Sequence, residues 1–211
     1  LGWYRPAPSP ARPAAPGPAL AVPRSADFGA TTAPADVRTV AAWVVGSGDA
    51  AAAPFALIDK RRTHLYVFDA HGRLRGDTPV LLGYASGDDS VPGIGQRPIE
   101  QVRPSERTTP AGRFDVASGR NLLNEDVQQH VFGDILKRRV RATEPREHRL
   151  ERLATPTPAD NRISYGCINV PVGFFDAVVW PTLGQRRAVV YVLPEVKPLH
   201  QVFPAAVTPL V

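Results

Sequence analysis

The pattern of apolar and polar positions divides the chain into an N-terminal part without periodicity and a longer part built from short apolar runs. Such runs, bounded by turn residues, are typical of β-strands. They predict strands over residues 55–58, 64–68, 80–84, 113–116 and 188–193, with further strand structure at Ile163. Many short strands and few helices indicate an α+β fold that is mostly β, with small covering helices.

Helical patterns are fewer. Apolar residues at helical spacing predict a helix over residues 36–45, with Val37, Val40, Ala41 and Val44 on one face. Three more helices are predicted at about residues 126–137, 145–153 and 172–180.

Proline and alanine dominate residues 5–23, which have no apolar face. A segment of this kind cannot bury enough apolar surface to offset its ordering entropy, so we expect an extended, semi-rigid spacer. From these patterns we predict a disordered spacer over 1–35 and a lead-in helix and linker over 36–54. The main domain is predicted to cover 55–195, and a C-terminal tail 196–211.

The net charge of +5 and a pI near 9.8 favour anionic surroundings: a cell-wall polymer, a membrane surface or nucleic acid. Simple solubility is the alternative explanation of this charge. Nucleic acid is not a predicted partner, because basic runs interleaved with aromatic residues are absent from the sequence. No run of 18 apolar residues occurs, so no transmembrane segment is predicted. We interpret the start at Leu1 as that of an exported product without its signal segment.

The single cysteine, Cys167, lies in the stretch Ile163–Pro171, where small and polar residues are flanked by apolar ones. Gly166 lets the chain turn so that the thiol and consecutive backbone N–H groups face one point. That arrangement suits acyl transfer, in which the thiolate attacks a carbonyl and the amides of Gly166, Cys167 and Tyr165 stabilise the oxyanion. A buried structural cysteine near a strand end is the alternative, and this stretch alone leaves both open.

The run Ser164-Tyr-Gly-Cys-Ile-Asn169 resembles the signature of the L,D-transpeptidase catalytic domain, also called the YkuD-type domain. That signature reads Ser or Thr, usually His, then Gly, Cys, an apolar residue, and Asn or Arg. Residues 108–114 resemble the Thr-Pro-x-Gly-x-Phe turn of the family, and residues 58–69 resemble its opening hairpin. The resemblance covers roughly residues 55–195 and implies a β-sandwich-like catalytic fold.

The resemblance also implies an activity. Members of the family attack the carbonyl of a diaminopimelate residue in a peptidoglycan stem peptide, release terminal D-Ala and pass the acyl group to an acceptor amine. Cys167 would be the nucleophile, Tyr165 would contribute mainly its backbone, Ser164 would position the base through its carbonyl, and Asn169 would brace the loop. The implied location is the periplasm or cell envelope, with neither metal nor cofactor.

Two alternatives stay open at this point. A non-catalytic envelope protein could keep the fold, bind peptidoglycan and lack the base, and a cysteine L,D-carboxypeptidase would use water as the acceptor. The sequence predicts neither the acceptor nor an oligomeric state.

The general base is the open question, because thiol attack on an amide works best with a histidine. His64, His71 and His200 lie at a strand start, in a turn and in the tail, and we interpret them as structural. His148 has the family's spacing, with fifteen residues between it and Ser164.

A helical wheel argues against His148. On a helix over 145–153, the apolar residues Leu150 and Leu153 lie roughly 200° and 140° around from His148, which therefore points to solvent. Sequences with the Ser-Tyr-Gly-Cys variant place the base in an earlier segment, where this chain has Lys137 and Arg138. His130 and a site without a base remain as the other candidates.

Overall fold

The computed structural model describes residues 25–120, 126–130 and 147–208. Its strands are β1 (Phe55–Asp59), β2 (His64–Phe68), β3 (Leu74–Pro79), β4 (Leu82–Gly83), β5 (Gly112–Arg120), β6 (Asp126–His130), β7 (Arg162–Ser164) and β8 (Ala188–Leu193). The helices are α1 (Ala35–Ser47), α2 (Arg149–Ala154), α3 (Val172–Phe174), α4 (Trp180–Leu183), α5 (Leu199–Val202) and α6 (Pro204–Val207). A π-helical segment, Phe175–Val179, joins α3 to α4.

Six strands form one mixed sheet in the order β3-β2-β1-β8-β5-β6. The only parallel pair in this sheet, within the described residues, joins β1 to β8, and Leu57 lies opposite Tyr191 in it. Strands β4 and β7 form a separate parallel pair. The architecture is therefore a mixed sheet with short helices, consistent with the predicted α+β class.

The sheet separates two hydrophobic cores. On one face, α1 packs against side chains such as Leu57 and Tyr191, together with Phe203 from the start of α6. On the other face, alternate residues of the same strands pack against Phe175 and Ile168. Every residue of β1 and β8 is buried, because these central strands are covered on both sides.

The structured unit is wider than the predicted domain of residues 55–195. Val37, Val40, Ala41 and Val44 of α1 are buried in the core, as their spacing predicts. Within the predicted spacer 1–35, Asp27 forms a bridge with Arg73, while residues 1–24 lie outside the described part. Residues 25–54 and 196–208 thus pack on the sheet, since their apolar side chains complete its second core.

The helix predicted at 126–137 is wrong over residues 126–130, which form β6 and pair antiparallel with β5. Residues 131–137 lie outside the described part, as do 145 and 146 of the helix predicted at 145–153, which begins at Arg149. Strand β3 was missed because its sequence, Leu-Arg-Gly-Asp-Thr-Pro, is mostly polar, as suits a sheet edge.

The helix predicted at 172–180 is confirmed and extends to Leu183. Pro181 lacks the N–H that would bond one turn back, and the helix changes to π geometry just before it. Among the described helices, none combines the length and apolarity required to cross a bilayer.

Candidate functional site

Cys167 lies in a sharp loop that follows β7. Gly166 has φ of +119°, and a Cβ on it would come within 2.7 Å of the Thr108 carbonyl oxygen. Both the dihedral angle and the close approach of backbone require glycine here. The cysteine loop therefore turns directly against the backbone of Thr108.

Ser164 ties the loop to itself. Its buried hydroxyl accepts the Gly166 N–H at 3.1 Å and donates to the Cys167 carbonyl at 2.6 Å. The Gly166 amide, predicted as an oxyanion donor, is thus engaged by Ser164 in this structure. The Ser164 carbonyl, predicted to position the base, accepts the N–H of Tyr84 at 2.9 Å.

Thr109 fixes the next peptide. It is fully buried, and its hydroxyl donates to the Gly166 carbonyl and accepts the Gly83 N–H, both at 2.9 Å. Since the described peptides are all trans, the Cys167 N–H points away from Thr109. Thr109 therefore fixes the orientation of the 166–167 peptide. The Thr-Pro turn motif was the sequence signal for this residue.

Asn169 holds the far side of the loop. Its side-chain Nδ2 donates to the Cys167 carbonyl at 3.2 Å. Its backbone N–H and carbonyl pair with Leu81 at 2.9 and 3.0 Å. The Cys167 carbonyl is consequently held by two side chains, those of Ser164 and Asn169.

Tyr165 is 37% exposed. The Arg107 guanidinium lies 3.8 Å from the centre of its ring, within the range of a cation–π contact. Arg107 is anchored in turn by two hydrogen bonds of 3.2 Å to the Val102 carbonyl.

A groove of about 750 Å³ opens beside the loop, and Cys167, partly exposed and not disulfide-bonded, lies in its wall. The 86–111 connection supplies most of the opposite side, with apolar and polar groups mixed. The groove is lined among others by Asp89, Ser90, Val91, Ile94, Arg97, Val102, Pro110 and Phe114. A volume of this size accommodates a small peptide segment.

A buried ionic cluster anchors that connection. Lys60, which is fully buried, places Nζ 2.8 Å from Asp88 Oδ1, 3.3 Å from Glu195 Oε1 and 2.7 Å from the Thr109 carbonyl. Glu195 also binds the guanidinium of Arg162, at the start of β7. One ammonium group therefore links β1, the groove wall and the segment after β8.

Asp88 is the acidic member that faces the groove. Burial alone would raise the pKa of its carboxyl, but the Lys60 ammonium and the backbone N–H groups of residues 195–197 outweigh burial and lower it to about 2. The backbone donors lie 2.6–2.8 Å from the carboxylate oxygens. Asp88 is thus ionised across the physiological range and acts as an anchor.

Histidine is absent from the groove lining within the described residues. His148 is exposed, and its Nδ1 lies 2.6 Å from Glu151 Oε2, which agrees with the helical-wheel argument. His130 ends β6, where its backbone pairs with Val116, and Lys137 and Arg138 lie outside the described part. His64 pairs with Asp77 at 2.7 Å.

Arg149 points inward where His148 points outward. Its Nη1 donates to Asn169 Oδ1 at 2.6 Å, and its Nε donates to Glu147 at 2.5 Å. Nothing in the sequence singles out Arg149, because an arginine beside several others on a short helix carries no distinguishing signal. In the described ranges, His, Cys, Asp and Glu side chains form no group of three that could hold a metal ion.

The chain was compared with protein-family models and with curated protein sequences, and neither comparison gives a match.

Proposed function

We propose that the chain is a peptidoglycan L,D-transpeptidase with the α+β catalytic fold of that family. The observation that carries the proposal is the Cys167 loop. Its residues resemble the family signature, with Tyr165 in place of the usual histidine. The carbonyls of Gly166 and Cys167 are held by buried side chains, and Cys167 lines a peptide-sized groove. The family relationship itself rests on the sequence resemblance of residues 108–114 and 164–169.

The proposed reaction has two halves. The Cys167 thiolate attacks the diaminopimelate carbonyl carbon, with the Cys167 N–H facing the oxyanion, and a C–S bond replaces the C–N bond to D-Ala. The leaving amine takes the proton that the thiol lost, and D-Ala departs. An amine of a second stem peptide then attacks the thioester: a new C–N bond forms, the C–S bond breaks, and the proton lost by the amine returns to the sulfur. We assign no cofactor and no metal to this reaction, and we place it in the periplasm or cell envelope.

Acylation of the thiol tests the proposal. We expect a carbapenem to add once, at Cys167, when intact protein is examined by mass spectrometry. Cys167→Ala is the control and should acquire no adduct. If folded wild-type protein stays unmodified, the enzymatic proposal is wrong.

The acceptor is tested separately with a tetrapeptide stem that ends in D-Ala. Release of D-Ala together with a cross-linked product supports a transpeptidase. Release of D-Ala with a shortened stem alone would instead identify an L,D-carboxypeptidase.

A second candidate is a peptidoglycan-binding envelope protein without catalysis. The observation favouring it is that His148 is exposed and that, in the part of the chain described, the groove lining has no histidine. Binding of soluble stem peptides without an adduct or D-Ala release would support this candidate.

A further inference from the structure

The residue that reaches the cysteine loop from α2 is Arg149. His148, immediately before the helix, has the left-handed φ of +48°, so consecutive side chains diverge there. The Arg149 side chain is 16% exposed, against 59% for His148. Motif spacing predicts that His148 lies beside the cysteine loop. In the structure the guanidinium group of Arg149 lies there instead.

Arg149 controls which way the Asn169 amide faces. A guanidinium can only donate hydrogen bonds, so the group that meets Arg149 Nη1 at 2.6 Å must be the amide oxygen. The amide nitrogen then faces the Cys167 carbonyl, 3.2 Å away. A reversed amide would set donor against donor at Arg149 and oxygen against oxygen at Cys167.

We propose that Arg149 is a positioning residue for Cys167 and acts through Asn169. By fixing the amide, it keeps the Asn169 donor on the Cys167 carbonyl and so restrains the 167–168 peptide, on which the direction of the Cys167 side chain depends. The inference rests on the proposed acyl-transfer function, because only acylation requires the amide and the sulfur to be aligned together.

Two reactions of the same thiol separate positioning from general damage. Acylation by a carbapenem needs an aligned oxyanion donor, whereas alkylation by iodoacetamide is a simple displacement that needs only the thiolate. In Arg149→Met we expect acylation to slow roughly ten- to a hundredfold and alkylation to stay within about twofold. Arg149→Lys, which keeps a charged donor, should recover most of the acylation rate.

The matched control is Arg152→Met, on the same helix. Arg152 donates to the carbonyls of Glu147 and Asp160, and neither belongs to the cysteine loop. Its loss should leave the ratio of acylation to alkylation unchanged. Circular dichroism and urea midpoints of each variant report folding.

Action through Asn169 is tested by combining substitutions. Asn169→Ala alone should slow acylation about as much as Arg149→Met, and adding Arg149→Met to it should have little further effect. If Arg149→Met fails to fold, the ratio of acylation to alkylation is measured in Asn169→Ala and Arg149→Lys. The proposal then requires a low ratio in Asn169→Ala and a ratio near that of wild type in Arg149→Lys.

Several results would overturn the inference. They are an unchanged acylation rate in folded Arg149→Met, a parallel fall of acylation and alkylation, or additive effects of the two substitutions. Failure of the wild-type protein to react with the carbapenem, while iodoacetamide still modifies it, would instead refute the proposed function.

Discussion

Replacing Lys60 with methionine isolates the contribution of one buried ammonium group to the groove wall. Methionine keeps most of the aliphatic volume but removes the charge that faces Asp88 and Glu195. Both carboxylates are nearly inaccessible to solvent, with side-chain exposures of 1% and 7%. Water therefore cannot readily take the place of the lost cation.

The expected cost follows from what each carboxylate retains. Removing one partner of a buried ion pair typically destabilises a protein by about 3–5 kcal/mol. Asp88 keeps its three backbone N–H donors, and Glu195 keeps Arg162. We therefore expect the lower end, about 3 kcal/mol for Lys60→Met.

Urea denaturation followed by circular dichroism measures this cost. With a slope of about 2 kcal/mol per molar urea, the unfolding midpoint should fall by about 1.5 M. Lys197→Met is the matched control, because Lys197 pairs at 2.6 Å with Asp89, whose side chain is 74% exposed. An exposed pair is worth at most about 1 kcal/mol. If the two variants lose similar stability, Lys60 is not the anchor that its contacts indicate.

Three further predictions concern residues around the groove. His148→Ala should leave the rate of Cys167 acylation near neutral pH within about twofold of wild type, because an exposed side chain outside the groove contributes no base. Gly166→Ala should abolish acylation and destabilise the fold by at least about 1–3 kcal/mol, since its Cβ would clash with Thr108. The pKa of Asp88 is lowered to about 2, so its carboxylate stabilises the folded state fully above its unfolded pKa of 3.8 and loses this contribution as pH falls through 2. In Asp88→Asn the free energy of unfolding should therefore depend less steeply on pH in this acid range.

The corresponding measurements each have a contrary outcome. Loss of acylation in His148→Ala, with rescue near pH 9, would identify that histidine as the base after all. A Gly166→Ala protein with wild-type acylation would mean that the loop turns without glycine. Equal dependence of the urea midpoint on pH between 5 and 2 in Asp88→Asn and wild type would show that Asp88 contributes nothing to acid stability.

Local pattern predicts the central strands well. Residues 55–59 and 188–193 are nearly continuous apolar runs, and both become strands buried on two faces. The face of α1 also follows from spacing, because its four buried residues recur at helical intervals. These elements are determined by short-range periodicity and burial.

Pairing between distant segments is not visible in such patterns. β6, whose sequence is Asp-Val-Gln-Gln-His, becomes a strand because β5 supplies backbone hydrogen bonds along its length. The parallel pairing of β1 with β8 joins segments that are far apart in sequence. Tertiary context of this kind overrides local propensity, which explains why the helix predicted at 126–137 is wrong over residues 126–130.

The sequence indicates which residues form the cysteine loop, but it does not predict all of the hydrogen bonds that hold the loop in place. The glycine before Cys167 is required by backbone geometry, and its neighbours resemble a known signature. Ser164 and Asn169 hold the Cys167 carbonyl from within the signature, and Thr109 and Arg149 add bonds from segments distant in sequence. A motif therefore locates the thiol, while its alignment depends on contacts formed only in the folded chain.

The difference between His148 and Arg149 shows how precisely motif spacing can predict which side chain reaches the site. Spacing to Ser164 selects a position to within about a residue, whereas adjacent side chains point in different directions. At the start of α2, the left-handed conformation of His148 directs one side chain to solvent and the next to Asn169. Because a guanidinium stays protonated, Arg149 cannot replace a histidine as proton acceptor. Arg149 can instead provide a fixed hydrogen-bond donor to Asn169. The role of this position is then to hold the cysteine loop in place, and not to remove a proton from the thiol.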